Sequence, residues 1–154
     1  MGADTFFVRV KGKTARDAFR EAVEDARHWS GHGGYTGTIA EKSDYVMITP
    51  NTARLQEHFK AELRVERQRL RELRKSTHIH NQWNIELCEK RIKDLAPKAR
   101  RKRHTPDEVA NALIDMDDRR ICDKWGPAGC IDLTPKLTGK RKPKKFLFFG
   151  WASS

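Results

Sequence analysis

Two consecutive runs decide the fold class: Thr5-Phe6-Phe7-Val8-Arg9-Val10, and then Thr14-Ala15-Arg16-Asp17-Ala18-Phe19-Arg20-Glu21-Ala22-Val23-Glu24-Asp25-Ala26. The first is rich in β-branched and aromatic residues and reads as a strand. In the second, Ala15, Ala18, Phe19, Ala22, Val23 and Ala26 recur at helical spacing and leave Arg16, Arg20, Glu24 and Arg27 outside. Thr14, with Asp17 three residues on, forms an approximate capping box. The pattern stops at the glycine-rich turn Ser30-Gly31-His32-Gly33-Gly34. Beyond it, Tyr35 to Glu41 and Tyr45 to Thr49 read as two strands joined by a hairpin at Lys42-Ser43-Asp44, and Pro50 closes the run. A β-α-β-β opening predicts an α+β fold with a small antiparallel sheet, in an order consistent with a ferredoxin-like arrangement.

Working outward, residues 51 to about 75 predict a charged helix with a thin apolar stripe of Leu55, Phe59, Leu63, Leu70 and Leu73, interrupted by Glu66. Trp83, Leu87, Ile92 and Leu95 restart the stripe, and Pro97 is expected to end it. Two thin stripes that cover each other make an antiparallel helical hairpin. Thr105-Pro106-Asp107-Glu108 then signals a new helix, whose buried face is read as Val109, Ala110, Leu113, Ile114 and Ile121. Cys130 to Leu133 and Phe146 to Phe149 are expected closing strands. Phe146 and Phe148 share one face, with Leu147 and Phe149 on the other, which predicts a strand covered on both sides. The expected organisation is a single α+β domain over 1–154: a β-α-β-β unit at 1–50, a projecting hairpin inserted at 51–96, and a helix with closing strands at 105–154.

The chain has 154 residues, 37% hydrophobic and 34% charged, which suits one compact domain with a modest core. Its net charge of +11 is unevenly spread: residues 1–50 are neutral, 51–95 carry +4, 96–104 carry +5, 105–134 carry −4 and 135–154 carry +6. Concentrated positive charge predicts a polyanionic partner. No apolar run approaches the ~18 residues a membrane span requires, so no membrane partner is expected. The opening Met1-Gly2-Ala3-Asp4-Thr5 lacks a basic, apolar leader, and Thr5-Phe6 does not complete a myristoylation motif. Three cysteines, Cys88, Cys122 and Cys130, have no framework spacing and predict reduced thiols and a cytoplasmic location.

Three stretches carry a resemblance. Gly31-His32-Gly33-Gly34-Tyr35-Thr36-Gly37-Thr38-Ile39-Ala40-Glu41-Lys42, Asp123-Lys124-Trp125-Gly126-Pro127-Ala128-Gly129 and Phe148-Phe149-Gly150-Trp151-Ala152-Ser153 resemble blocks of small uncharacterised proteins encoded by bacteriophages of actinobacteria. The resemblance implies a phage setting, hence the cytoplasm of a host cell and a host-takeover or counter-defence context. It transfers no activity and no functional residue.

Candidate functional residues follow from the charge runs. Lys98, Arg100, Arg101, Lys102 and Arg103 form one acid-free basic run, and Lys140, Arg141, Lys142, Lys144 and Lys145 a second. Flexible basic loops neutralise phosphates without reading sequence. Arg64, Arg67, Arg71 and Arg74 add a helical basic face, with Glu62, Glu66 and Glu72 expected to offset it. The glycine turn runs from helix to strand, opposite to a phosphate-cradling loop, so it reads as a cap and turn. His32, Tyr35, Trp125 and Trp151 are candidate stacking or recognition residues. Histidine and cysteine spacings do not suit structural zinc, so no metal and no cofactor are expected. The expected function is non-enzymatic nucleic-acid binding, RNA ahead of DNA, by a phage accessory factor. The alternative is an inhibitor or counter-defence protein that binds a host protein or ribonucleoprotein. A third class is an enzyme acting on nucleic acid or nucleotides through His32, Tyr35 or the Asp115, Asp117 and Asp118 cluster.

Overall fold

The computed structural model describes residues 2–76, 81–134 and 143–154, and it is an α+β fold. The elements are β1 (Ala3–Gly12), α1 (Ala15–Ser30), β2 (Tyr45–Met47), α2 (Thr52–Lys75), α3 (Gln82–Arg100), α4 (Pro106–Asp115), β3 (Ala128–Asp132) and β4 (Lys144–Ser153). They form two compact units, one of Met1–Thr49 with Pro106–Ser154 and the other of Pro50–Thr105. The insertion expected at 51–96 therefore extends through the basic run that follows it.

In the first unit, the four strands are ordered β1-β4-β3-β2. β4 is central and pairs antiparallel with β1 from Ala3↔Ser153 to Gly12↔Lys144, and with β3 from Gly129↔Phe149 to Asp132↔Phe146. β2 pairs with β3 in parallel, so the sheet is mixed and not antiparallel throughout. A parallel pair requires a long crossover, and the chain between β2 and β3 holds three helices. β1 and β2 lie on opposite edges, so the opening run is not one paired unit and the strand order lends the ferredoxin-like expectation no support.

Thr14 caps α1 as its sequence predicts: its Oγ1 accepts from the Asp17 N–H at 3.1 Å and donates to the Asp17 carboxylate at 2.8 Å. The helix lays Ala18, Phe19, Ala22 and Val23 on the sheet face formed by Phe6, Cys130, Phe146, Phe148 and Ala152, all buried. Phe19 meets Phe148 edge-on, with ring centroids 5.5 Å apart, and Tyr45 closes the cluster 5.2 Å from Phe19. Leu147 and Phe149, also fully buried, point to the opposite face, and α4 lies against β4. β4 is thus covered on both sides.

Two expectations fail for local reasons. Tyr35 to Glu41 is not a strand but a looped turn ending in a short 3₁₀ segment at Ile39–Glu41. Gly34, Tyr35 and Gly37 all hold positive φ, which an extended strand cannot accommodate. The hairpin at Lys42-Ser43-Asp44 is accordingly absent. α4 ends at Asp115, with Asp117 at φ 47°, and the buried Ile121 belongs to the turn beyond it.

In the second unit, α2 and α3 pack as the expected hairpin. Leu55, Phe59 and Leu63 of α2 and Cys88 and Ala99 of α3 are buried. Pro97 does not end α3. It sits within the last turn, where it removes one backbone donor, while its own carbonyl accepts the Arg101 N–H at 3.1 Å.

Candidate nucleic-acid interface

Residues 50–105 hold +9 of the net +11, within 56 residues. A thin apolar seam explains how this unit tolerates so much charge: the seam needs few residues, and the remaining helix surface is left to solvated side chains. Glu66, which breaks the seam of α2, is mostly buried and pairs with Arg91 of α3 at 3.1 Å. Arg74 pairs with Glu89 at 2.7 Å, a second link between the helices. Glu62 sits 3.5 Å from His58, and Glu72 accepts from Gln68 at 3.2 Å. Each of the three carboxylates expected to offset the arginine face therefore has another neighbour. Arg64, Arg67 and Arg71 remain exposed on α2 at spacings of three and four, and have no ion pair among the described residues. Arg74 leaves that face for Glu89.

The first basic run divides. Lys98 lies in the last turn of α3, partly buried, and its Nζ is 2.5 Å from Asp94. Arg100 is the last helical residue and is exposed, while its carbonyl accepts from Gln56 at 3.4 Å. Arg101, Lys102 and Arg103 are exposed in the segment leaving the helix. That segment is tied back by His104, whose Nε2 is 2.9 Å from the Lys98 carbonyl and whose ring lies 4.9 Å from that of Phe59. In the second run, Lys144 and Lys145 are exposed at the start of β4 in the other unit. Lys140, Arg141 and Lys142 lie outside the described residues.

The stacking candidates also divide. Tyr35 and Trp125 come together, with ring centroids 5.9 Å apart and planes at 84°, each about half exposed. Lys124 places its Nζ 5.6 Å from the centre of the Trp125 ring. The residue that joins the two loops is Lys42, which sequence reasoning passed over as part of a hairpin. It is 2% exposed, and its ammonium donates to the carbonyls of Asp123, Lys124 and Gly126 at 3.2, 3.0 and 3.0 Å. Burial pushes the Lys42 ammonium below its ordinary pKa, against the pull of the Asp123 and Glu41 charges. Glu41 shapes the loop from within, accepting the Thr36 N–H at 3.1 Å and its hydroxyl at 2.9 Å. Burial opposes its charge, but these bonds, one from the Tyr35 backbone and the nearby Arg27 hold its carboxyl below the usual range. Gly37 donates to the Ser153 carbonyl at 2.8 Å. The segments holding Gly37 and Lys42, Asp123 to Gly126, and Ser153 thus meet in one place.

His32 and Trp151 stand apart from this pair. His32 lines a polar cup of about 320 Å³ with Arg27, Gly31, Gly34, Ala40 and Glu41. The Arg27 charge there is countered by Glu41, so the cup is no anion cradle. Trp151 is half-buried on β4 opposite Thr5. In the aspartate cluster, both oxygens of the buried Asp118 are held by Arg120 at 2.8 and 3.1 Å, the geometry of a structural ion pair. Comparison with known families, curated proteins and solved structures finds no match to this chain.

Proposed function

We propose that the protein binds nucleic acid, RNA ahead of DNA, through phosphate contacts made by the basic surface of residues 50–105, and that it serves as a phage accessory factor. The observation that carries this reading is the +9 concentrated on that unit, with Arg64, Arg67 and Arg71 exposed and Arg100, Arg101, Lys102 and Arg103 grouped at the end of α3. Arginines three and four residues apart lie along one helix face and suit successive phosphates of a backbone. Such contacts position a polyanion and carry no base readout, so affinity is expected to be similar across unrelated sequences.

The test is the affinity for a generic RNA and a generic duplex, each at two salt concentrations. Binding that weakens as salt rises, and that weakens further when Arg100, Arg101, Lys102 and Arg103 are all replaced by Gln, supports the proposal. A parent protein with no salt-sensitive affinity for either ligand overturns it. A partner that is captured equally well after nuclease treatment would point instead to the inhibitor reading.

A further inference from the structure

We infer that Tyr35 and Trp125, with Lys124 beside them, form a stacking site for one unpaired nucleobase, which makes single-stranded nucleic acid the preferred ligand. This rests on the nucleic-acid reading above and specifies its substrate. The two rings belong to loops far apart in sequence and meet at 84°, so they form a corner: a planar base laid on one ring is met by the other edge-on. Both rings are about half exposed, where apolar rings gain from being covered by a flat aromatic partner. Lys124 supplies the cation that a nucleotide, and not a neutral aromatic ligand, would require. Its Nζ lies over the Trp125 ring and, among the described residues, its one hydrogen bond is a long contact of 3.4 Å to the Gly2 carbonyl.

The corner is also pre-formed. Tyr35 holds φ 57°, a conformation that a bulky side chain seldom adopts, and its ring lies 5.9 Å from that of Trp125. The Thr36–Glu41 bonds, the Gly37–Ser153 bond and the Lys42 ammonium tie both loops to the fold. A second exposed aromatic pair, His28 with Trp29, joins chain neighbours at the end of one helix and does not bring two loops together.

The experiment compares an unstructured strand of about eight nucleotides with an abasic strand of the same length, which keeps the phosphates and lacks the bases. The parent should bind the base-containing strand about tenfold more tightly. Trp125→Ala should bring that ratio close to one while leaving the salt dependence unchanged, and Trp125→Phe should preserve it. Tyr35→Gly should also abolish the ratio, and because glycine accepts the left-handed backbone this variant keeps the loop intact. Equal, salt-sensitive affinity of the parent for both strands overturns the stacking site and leaves the phosphate-binding proposal standing. No salt-sensitive affinity for either strand overturns that proposal and the stacking site together.

Discussion

Lys42 directs a buried ammonium at three backbone carbonyls, and this is a residue whose role depends on chain segments that no side-chain pattern records. Removing its charge while keeping its bulk, as in Lys42→Met, leaves those carbonyls without a donor. An orphaned buried polar group costs roughly 1–3 kcal/mol, so urea denaturation should show a loss of that order. An unchanged midpoint would contradict the clamp. The cysteines give a second residue-scale expectation. Cys122 is exposed, whereas Cys88 and Cys130 are buried, and all three are free. One thiol should therefore react quickly with a chromogenic disulfide in the native protein, and two only on unfolding. Burial, aided by the Asp132 charge, pushes the Cys130 thiol up to about 12. Its proton is kept in the folded state after the unfolded chain has released it. Stability from this group is thus complete below its ordinary value near 9 and is lost as pH rises toward about 12. Relative to Cys130→Ala, the parent should lose stability as pH rises from about 9 toward about 12 in paired denaturation curves; a constant gap would contradict the shift.

At the scale of elements, the β3–β4 pairing depends on a close approach at Gly129, which faces Phe149. A Cβ there would lie 2.7 Å from the Phe149 ring. Gly129→Ala should force the buried ring or the strand to move, at a cost of about 1–3 kcal/mol in thermal or urea unfolding; unaltered stability would mean the sheet has slack there. Helices were the legible part of the sequence. The period of Ala18, Phe19, Ala22 and Val23 identifies α1, and the stripe of Leu55, Phe59 and Leu63 identifies α2, because helical periodicity is a local signal. The central place of β4 was half legible: its four consecutive apolar residues imply cover on both faces but name no partner. The parallel β2–β3 pair was not legible, since it joins segments separated by three helices. Tyr35 to Glu41 misled because Thr36, Thr38 and Ile39 have strand character, while the deciding facts are positive φ at Gly34, Tyr35 and Gly37 and the bonds from Thr36 to Glu41. At the candidate interface, the basic residues were visible in sequence, but which ones have partners was not. Lys98 and Arg74 are engaged by Asp94 and Glu89, whereas Arg64, Arg67 and Arg71 keep their charge free of ion pairs among the described residues.

For the whole molecule, the division of charge between the two units matters more than its total. Residues 50–105 carry +9 and the remainder +2, so the proposed phosphate contacts are assigned to α2, α3 and the segment after them. The surface ion pairs within that unit contribute little to stability, each about 0–1 kcal/mol, so replacing basic residues there should alter binding far more than folding. The most direct measurement is the logarithmic dependence of RNA affinity on salt, for the parent and for Arg64→Gln/Arg67→Gln/Arg71→Gln. Each neutralised phosphate of a single strand contributes roughly 0.7 to the slope. The parent should show a steep linear fall of affinity with salt, and the triple variant a slope smaller by up to about 2, with unfolding unchanged. A parent whose affinity ignores salt, or a triple variant whose slope equals the parent's, would contradict phosphate contact by this face.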